Sequence, residues 1–203
     1  HSKRQLVTLT QTLHSNLQAH LQIPMSESTN QHREAAAGRS ASCAVTTVSD
    51  TRTFETDSGG ALIRQCLEEA GHSIGDYRIV ADEPEQIGTH LRTLLRGPQS
   101  TLHEPISDYD VIITTGGTGI ARRDTTVEVV RELLDKELEG FGELFRMLSH
   151  QQVGPAAMLS RAVAGLAGQV LIFTLPGSTN AVRLAMEELI IPELPHLVWE
   201  RAR

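Results

Sequence analysis

The sequence predicts an α/β fold, a three-layer α/β/α sandwich around a mostly parallel central sheet. Three observations predict it. Four short runs rich in Val, Ile, Thr and Leu alternate with stretches of helical apolar spacing, the signature of βαβ units. The run DVIITT (110–115) is apolar or β-branched after its first residue, as expected of a strand covered on both faces. A chain of 203 residues, 39% hydrophobic and 21% charged, is long enough for one domain with a sizeable core.

Taken in order, the first 40 residues stand apart. Leu6, Leu9, Leu13, Leu17 and Leu21 recur at helical spacing among Gln, Thr, His and Ser, and residues 23–42 read as an aperiodic linker. A docking helix and an upstream extension before Met25 both account for the stripe, and the second is preferred. Residues 1–40 are therefore expected to form a poorly ordered extension and 41–203 the domain.

CAVTTVS (43–49) reads as a buried strand, followed by a polar loop from Ser49 to Gly60. Leu62, Ile63, Cys66, Leu67 and Ala70 then mark one face of a helix that Gly71 ends. YRIVA (77–81) is a second strand. Pro84 suits the first turn of a helix carrying Ile87, Leu91, Leu94 and Leu95 inward. DVIITT is the third strand. Thr125 and Glu128 have capping-box spacing ahead of Val127, Val130, Leu134 and Leu138. GFGELFRMLSHQQ (140–152) reads as a short helix on which Leu144, Met147 and Leu148 pack, and PAAMLSRAVAG (155–165) as helix plus turn. QVLIFTL (169–175) is the fourth strand. A helix with Val182, Ala185, Met186, Leu189 and Ile190 on one side follows, interrupted at Pro192.

Two strand-to-helix junctions carry the candidate chemistry. TTGGTGIARRDTT (114–126) and LPGSTN (175–180) both follow strands and both open helices. In a parallel sheet such loops gather at the carboxyl ends of the strands, where these folds bind ligands. Glycines let bare amides approach an anion, and a helix N-terminus adds free donors. The predicted cradle is Thr115, Gly116, Gly117, Thr118 and Gly119 with Pro176, Gly177 and Ser178. It matches neither the P-loop, which needs Lys followed by Ser or Thr, nor G-x-G-x-x-G, because Arg122 stands where the third glycine would fall. A carboxylate beside a phosphate cradle repels the anion unless a cation lies between them. Asp124, and Asp82 at the end of the second strand, are therefore the candidate catalytic and metal-side pair, suited to Mg²⁺.

Several of these motifs, in this order, resemble the molybdenum-cofactor biosynthesis family of MoaB and MogA. They are TVSDTRT (47–53), TTGGTGIARRD (114–124), GFGELFRMLS (140–149), LSRAVAG (159–165) and LPGST (175–179), and GFGELFRMLS and SRAVAG look closest to the MoaB branch. The resemblance covers roughly residues 44–192. It implies a three-layer subunit assembling as a homotrimer or homohexamer. It also implies Mg²⁺-dependent adenylylation of molybdopterin by ATP, with release of pyrophosphate. It adds Ser49 and Asp50 to the substrate-binding set. A non-catalytic molybdopterin-binding or scaffold member is the alternative.

Bulk composition narrows the partners. Lys and Arg total 18 against 25 Asp and Glu, a net charge of −7, so neither nucleic acid nor an anionic membrane is the expected partner. The two cysteines lack C-x-x-C spacing and suit packing in a reducing compartment. The nine histidines form no metal-ligand spacing. Without a signal-peptide pattern or a long apolar run, a cytoplasmic location is expected.

Overall fold

A computed structural model describes residue 36 and residues 38–96 and 107–202. The leucine stripe of residues 6–21 lies outside them. Six strands form one sheet in the order β2-β1-β3-β6-β5-β4. The strands are β1 (Ser42–Val48), β2 (Ser73–Val80), β3 (Val111–Thr115), β4 (Lys136–Glu137), β5 (Val163–Ala167) and β6 (Val170–Leu175). The helices are α1 (Ser58–Glu69), α2 (Pro84–Arg96), α3 (Thr126–Leu133), α4 (Glu139–Val153), α5 (Thr179–Ala185) and α6 (Ile191–Glu200).

Side chains alternate across the central strands and thereby divide the core. Cys43 and Val45 of β1, Val111 and Ile113 of β3, and Leu171, Phe173 and Leu175 of β6 face one layer, packed under α1, α4, α5 and α6. Ala44, Ile112 and Ile172 face the other, under α2 and α3. Ile112, Ile113 and Ile172 are fully buried. Each such side chain stabilises the fold by roughly 1.5–3 kcal/mol. This is the expected three-layer sandwich.

The parallel register positions the loops. Thr47 pairs with Thr115, and Thr115 with Leu175, so β1, β3 and β6 end level with one another. Val48 pairs with Val80, which brings the end of β2 to the same edge. The chain leaves β1 for β2 on one side and returns to β3 on the other, making a topological switch point between β1 and β3.

Several expectations need correction. The sheet has two more strands than the four expected. Residues 163–167 form β5, not a turn, and run antiparallel to β6 through a bend at Gly168, with φ +58. Gly165 lets β4 approach, because a Cβ there would collide with the Lys136 carbonyl. The expected helix at 155–159 is a 3₁₀ turn, Gly154–Leu159. The polar loop is shorter than expected, since Ser58, Gly59 and Gly60 already belong to α1. Thr125 caps α3 by position, but its side chain makes no capping bond, so the capping box does not form. On α4, Phe145 and Ser149 are buried, whereas Leu144 and Met147 are exposed. Pro192 does not end the last helix. A π turn at Met186–Ile190 runs into α6, and Pro192 sits in the first turn of α6.

Candidate functional site

The loop leaving β3 turns back against the end of β1. Gly116 and Gly117 both have positive φ, +97 and +60. A Cβ on Gly116 would collide with the Val48 carbonyl, and one on Gly117 with the Thr126 hydroxyl. Only glycine satisfies both the conformation and the space. The Gly116 amide donates to Leu175 O at 3.1 Å and the Thr126 amide to Gly117 O at 3.0 Å, tying the loop to β6 and to α3.

The second glycine loop lies alongside. A Cβ on Gly177 would stand 3.3 Å from Gly116 Cα. The Thr115 hydroxyl donates to Pro176 O at 3.1 Å, so it stitches the two loops together. Ser178 caps α5, its hydroxyl accepting from the Ala181 amide at 3.3 Å. Thr118 is buried and Gly119 exposed. Thr115 to Gly119 and Pro176 to Ser178 are thus brought together at one edge.

The acids stand on the opposite flank. Asp82 follows β2, and its Oδ1 is buried with no hydrogen-bond partner. A Cβ on Gly117 would lie 2.8 Å from that oxygen, so Asp82 faces the cradle. Burial raises the Asp82 pKa above the usual carboxylate range, followed by repulsion from Asp124. Arg123 opposes the rise, while Asp50 and Glu83 add to it. Asp124 Oδ2 accepts from the Ala121 amide at 2.9 Å, closing the turn before α3. Asp50 belongs to this flank. Its Oδ1 accepts from the Asp82 amide at 3.0 Å and its Oδ2 pairs with Arg123. Ser49 is spent locally, accepting from the Thr51 and Arg52 amides at 3.2 and 3.1 Å.

These residues fit a divalent cation. Asp82 presents a buried oxygen without a partner, and burial together with the nearby Asp124 disfavours its charge. Among the described residues no three His, Cys, Asp or Glu side chains are grouped to hold an ion by themselves. A pair of carboxylates completed by phosphate oxygens and water is the coordination Mg²⁺ favours.

Two supporting residues, absent from the expected site, brace it. Arg161, between the 3₁₀ turn and β5, donates Nε to Thr118 O at 2.9 Å and Nη2 to Asp124 O at 3.0 Å. Its Nη1 and Nη2 also grip both Glu128 oxygens, at 2.5 and 3.1 Å, holding the Glu128 carboxyl below its usual range. Arg161 therefore fastens the glycine loop, the Asp124 backbone and α3 to one another. Asp57, buried, caps α1 through the Gly60 amide at 3.0 Å and accepts from Thr47 and Tyr77 at 2.5 and 2.6 Å. Burial and this bond push the Tyr77 phenol up to about 12. A cap signal, Asp followed by Ser-Gly-Gly, was available in the sequence for Asp57. For Arg161 no local signal exists.

A separate cavity of about 430 Å³ at the opposite end of the sheet is lined by Arg92, Tyr109, Gly168 and Arg201. There Arg201 pairs with Asp110 and the Gln169 carbonyl.

Fold and site together define the class: a three-layer α/β domain that sets two glycine loops beside a carboxylate pair at a switch point. Comparison with known proteins carries this further. Residues 44–196 match the family described as a probable molybdopterin binding domain, and the chain belongs to that family. It is 51% identical over 174 residues to molybdenum cofactor biosynthesis protein B of Halalkalibacterium halodurans, covering 85% of this chain and 96% of the relative. The crystal structure of a molybdenum cofactor biosynthesis protein B superposes with a TM-score of 0.75 at 47% identity, covering 82% and 99% of the two chains. The tungsten cofactor synthesizing protein MoaB from Pyrococcus furiosus superposes with a TM-score of 0.69 at 37% identity, covering 82% and 100%.

Proposed function

We propose that this protein acts in molybdenum-cofactor biosynthesis as an adenylyltransferase that joins molybdopterin to the AMP moiety of ATP. The observation that carries the reading is the pairing of a neutral amide cradle with a carboxylate oxygen, Asp82 Oδ1, that is buried and without a partner, across one glycine, Gly117. A binding site for a single phosphate needs the cradle alone.

The reaction asks little of a base. A phosphate oxygen of molybdopterin attacks the α-phosphorus of ATP, a new P–O bond forms, and the bond to the β-phosphate oxygen breaks. Pyrophosphate leaves with the electron pair. The nucleophile is already an anion. What the protein must do is hold two anions close and in line, against a repulsion of about 4 kcal/mol for unit charges at about 4 Å and an effective dielectric near 20. Gly117, Thr118, Gly119, Gly177 and Ser178 offer the acceptor phosphate their amides, and Thr115, Gly116 and Pro176 hold the two loops in shape. Asp82 and Asp124 take the metal side, and a magnesium ion bound there supplies the charge neutralisation for the leaving pyrophosphate. Arg161 keeps Asp124 and the glycine loop in fixed relation.

Assembly belongs to the same reading. Leu144, Met147, Val153, Met158 and Leu159 are all exposed on α4 and the 3₁₀ turn after it, a concentration of apolar surface that suits a subunit interface. A homotrimer or homohexamer is the expected state, and sedimentation equilibrium reads it. A monomer at micromolar concentration rules out this use of the face.

Purified protein incubated with molybdopterin, Mg²⁺ and ATP labelled on the α-phosphate tests the chemistry. Transfer of label to the pterin is expected, with Asp124→Asn losing at least about a hundredfold in rate while still binding molybdopterin. Full transfer by that variant removes the metal side from the mechanism. Absence of transfer by the wild type leaves a binding protein.

A further inference from the structure

We propose that Arg123 is the internal counter-ion of the acid flank, holding its charge in the free protein and giving way only when a divalent cation arrives with a polyphosphate. The inference rests on the metal-side reading of Asp82 and Asp124 given above.

The geometry is specific to this arginine. Its guanidinium pairs with Asp50 Oδ2 and lies 4.0 Å from Asp82 Oδ2, bridging carboxylates from the loops after β1 and β2. Its backbone adjoins Asp124, whose carbonyl Arg161 clamps, so the stem of Arg123 is anchored. Its side chain is 59% exposed, so little besides these two carboxylates holds the head in place. An arginine cannot shed its proton in a protein, so a full positive charge always stands beside Asp82. A bare divalent cation approaching the unpartnered Asp82 Oδ1 meets that charge and is disfavoured.

A polyphosphate changes the balance. Its oxygens offer the guanidinium a bidentate partner better than a half-exposed carboxylate. Once the guanidinium turns to the polyphosphate, the charge of Asp82 is left to the cation. Metal and nucleotide then bind with positive coupling, and by linkage each tightens the other equally. The consequence is that the site fills with the metal–nucleotide complex rather than with stray divalent ions.

The test uses Mn²⁺ as a probe of the whole protein, followed by the electron paramagnetic resonance of the free ion, with and without ATP. Without nucleotide, Arg123→Gln should bind Mn²⁺ about five- to tenfold more tightly than wild type. With ATP present, and after subtracting the Mn²⁺ that ATP binds without protein, ATP should tighten Mn²⁺ about five- to tenfold less in the variant than in wild type, leaving only the share due to phosphate oxygens that ligate the ion directly. Arg123→Lys, which keeps the charge, should bind bare Mn²⁺ as weakly as wild type. Arg122→Gln removes an equal charge one residue away and should leave Mn²⁺ binding unchanged. If Arg123→Gln binds bare Mn²⁺ no more tightly than wild type while Asp82→Asn abolishes binding, the counter-ion role is wrong and the metal side stands. If neither wild type nor Arg123→Gln binds Mn²⁺ even with ATP, the metal-side reading fails and takes this inference with it.

Discussion

The two flanks of the site solve opposite problems. On the cradle flank the chain has stripped itself of side chains. Gly116 and Gly117 adopt positive φ, and the Thr115 hydroxyl is consumed by the Pro176 carbonyl, leaving backbone as the contact surface. This flank is neutral, and its shape is fixed by β1, β6 and α3. On the acid flank, Asp50 and Asp82 share one arginine, and Asp82 keeps a buried oxygen without a partner. That orphaned oxygen opposes folding. The contrast teaches that the cradle's shape is determined by its glycine backbone, whereas Asp82 keeps a buried oxygen that nothing among the described residues satisfies.

The comparison predicts that damage to the cradle removes stability and binding together. Gly117→Ala forces a non-glycine residue to φ +60 and drives its methyl into Thr126 and Asp82. A loss of about 1–3 kcal/mol is expected from the backbone conformation alone, read as a fall in melting temperature of several degrees. Molybdopterin affinity, followed by pterin fluorescence, should fall at least about tenfold, because the amides move. A variant that melts lower yet binds the pterin as tightly as wild type would place the acceptor elsewhere.

The same contrast explains how much could be seen beforehand. Strands β1, β3 and β6 are legible because burial on both faces demands unbroken Val, Ile, Thr and Leu. The glycine loops are legible because positive φ demands a residue type. Strand β5 is not, since Val-Ala-Gly-Leu-Ala owes its conformation to pairing with β6 and to the close approach of β4 at Gly165. The capping box was misread for a similar reason. Glu128 has a stronger partner, Arg161, 33 residues away in sequence, and no local pattern reports it. Asp82 and Asp124 could be nominated from their places after β2 and before α3. Their mutual repulsion, and the guanidinium set between Asp82 and Asp50, required the register that levels the strand ends.

On the acid flank the expected effect is smaller and of opposite sign. Asp82→Asn keeps the shape and removes the charge. Burial and Asp124 raise the Asp82 pKa in the folded protein, so folding favours its protonated form. The sign follows from linkage. In the window from the ordinary aspartate range up to the raised value, the folded state binds more protons than the unfolded state. Stability therefore falls as pH rises through that window and stays lower above it. In protein freed of metal with EDTA, Asp82→Asn should match wild type in stability at acid pH and melt higher at neutral pH. The gap should open across that window, even though AMP transfer is lost. Thermal denaturation from acid to neutral pH checks it. A gap that does not change with pH, or a variant that melts lower throughout, would mean the carboxylate is a structural partner. In that case the acid flank, like the cradle, would be built to hold the fold together rather than to receive a cation.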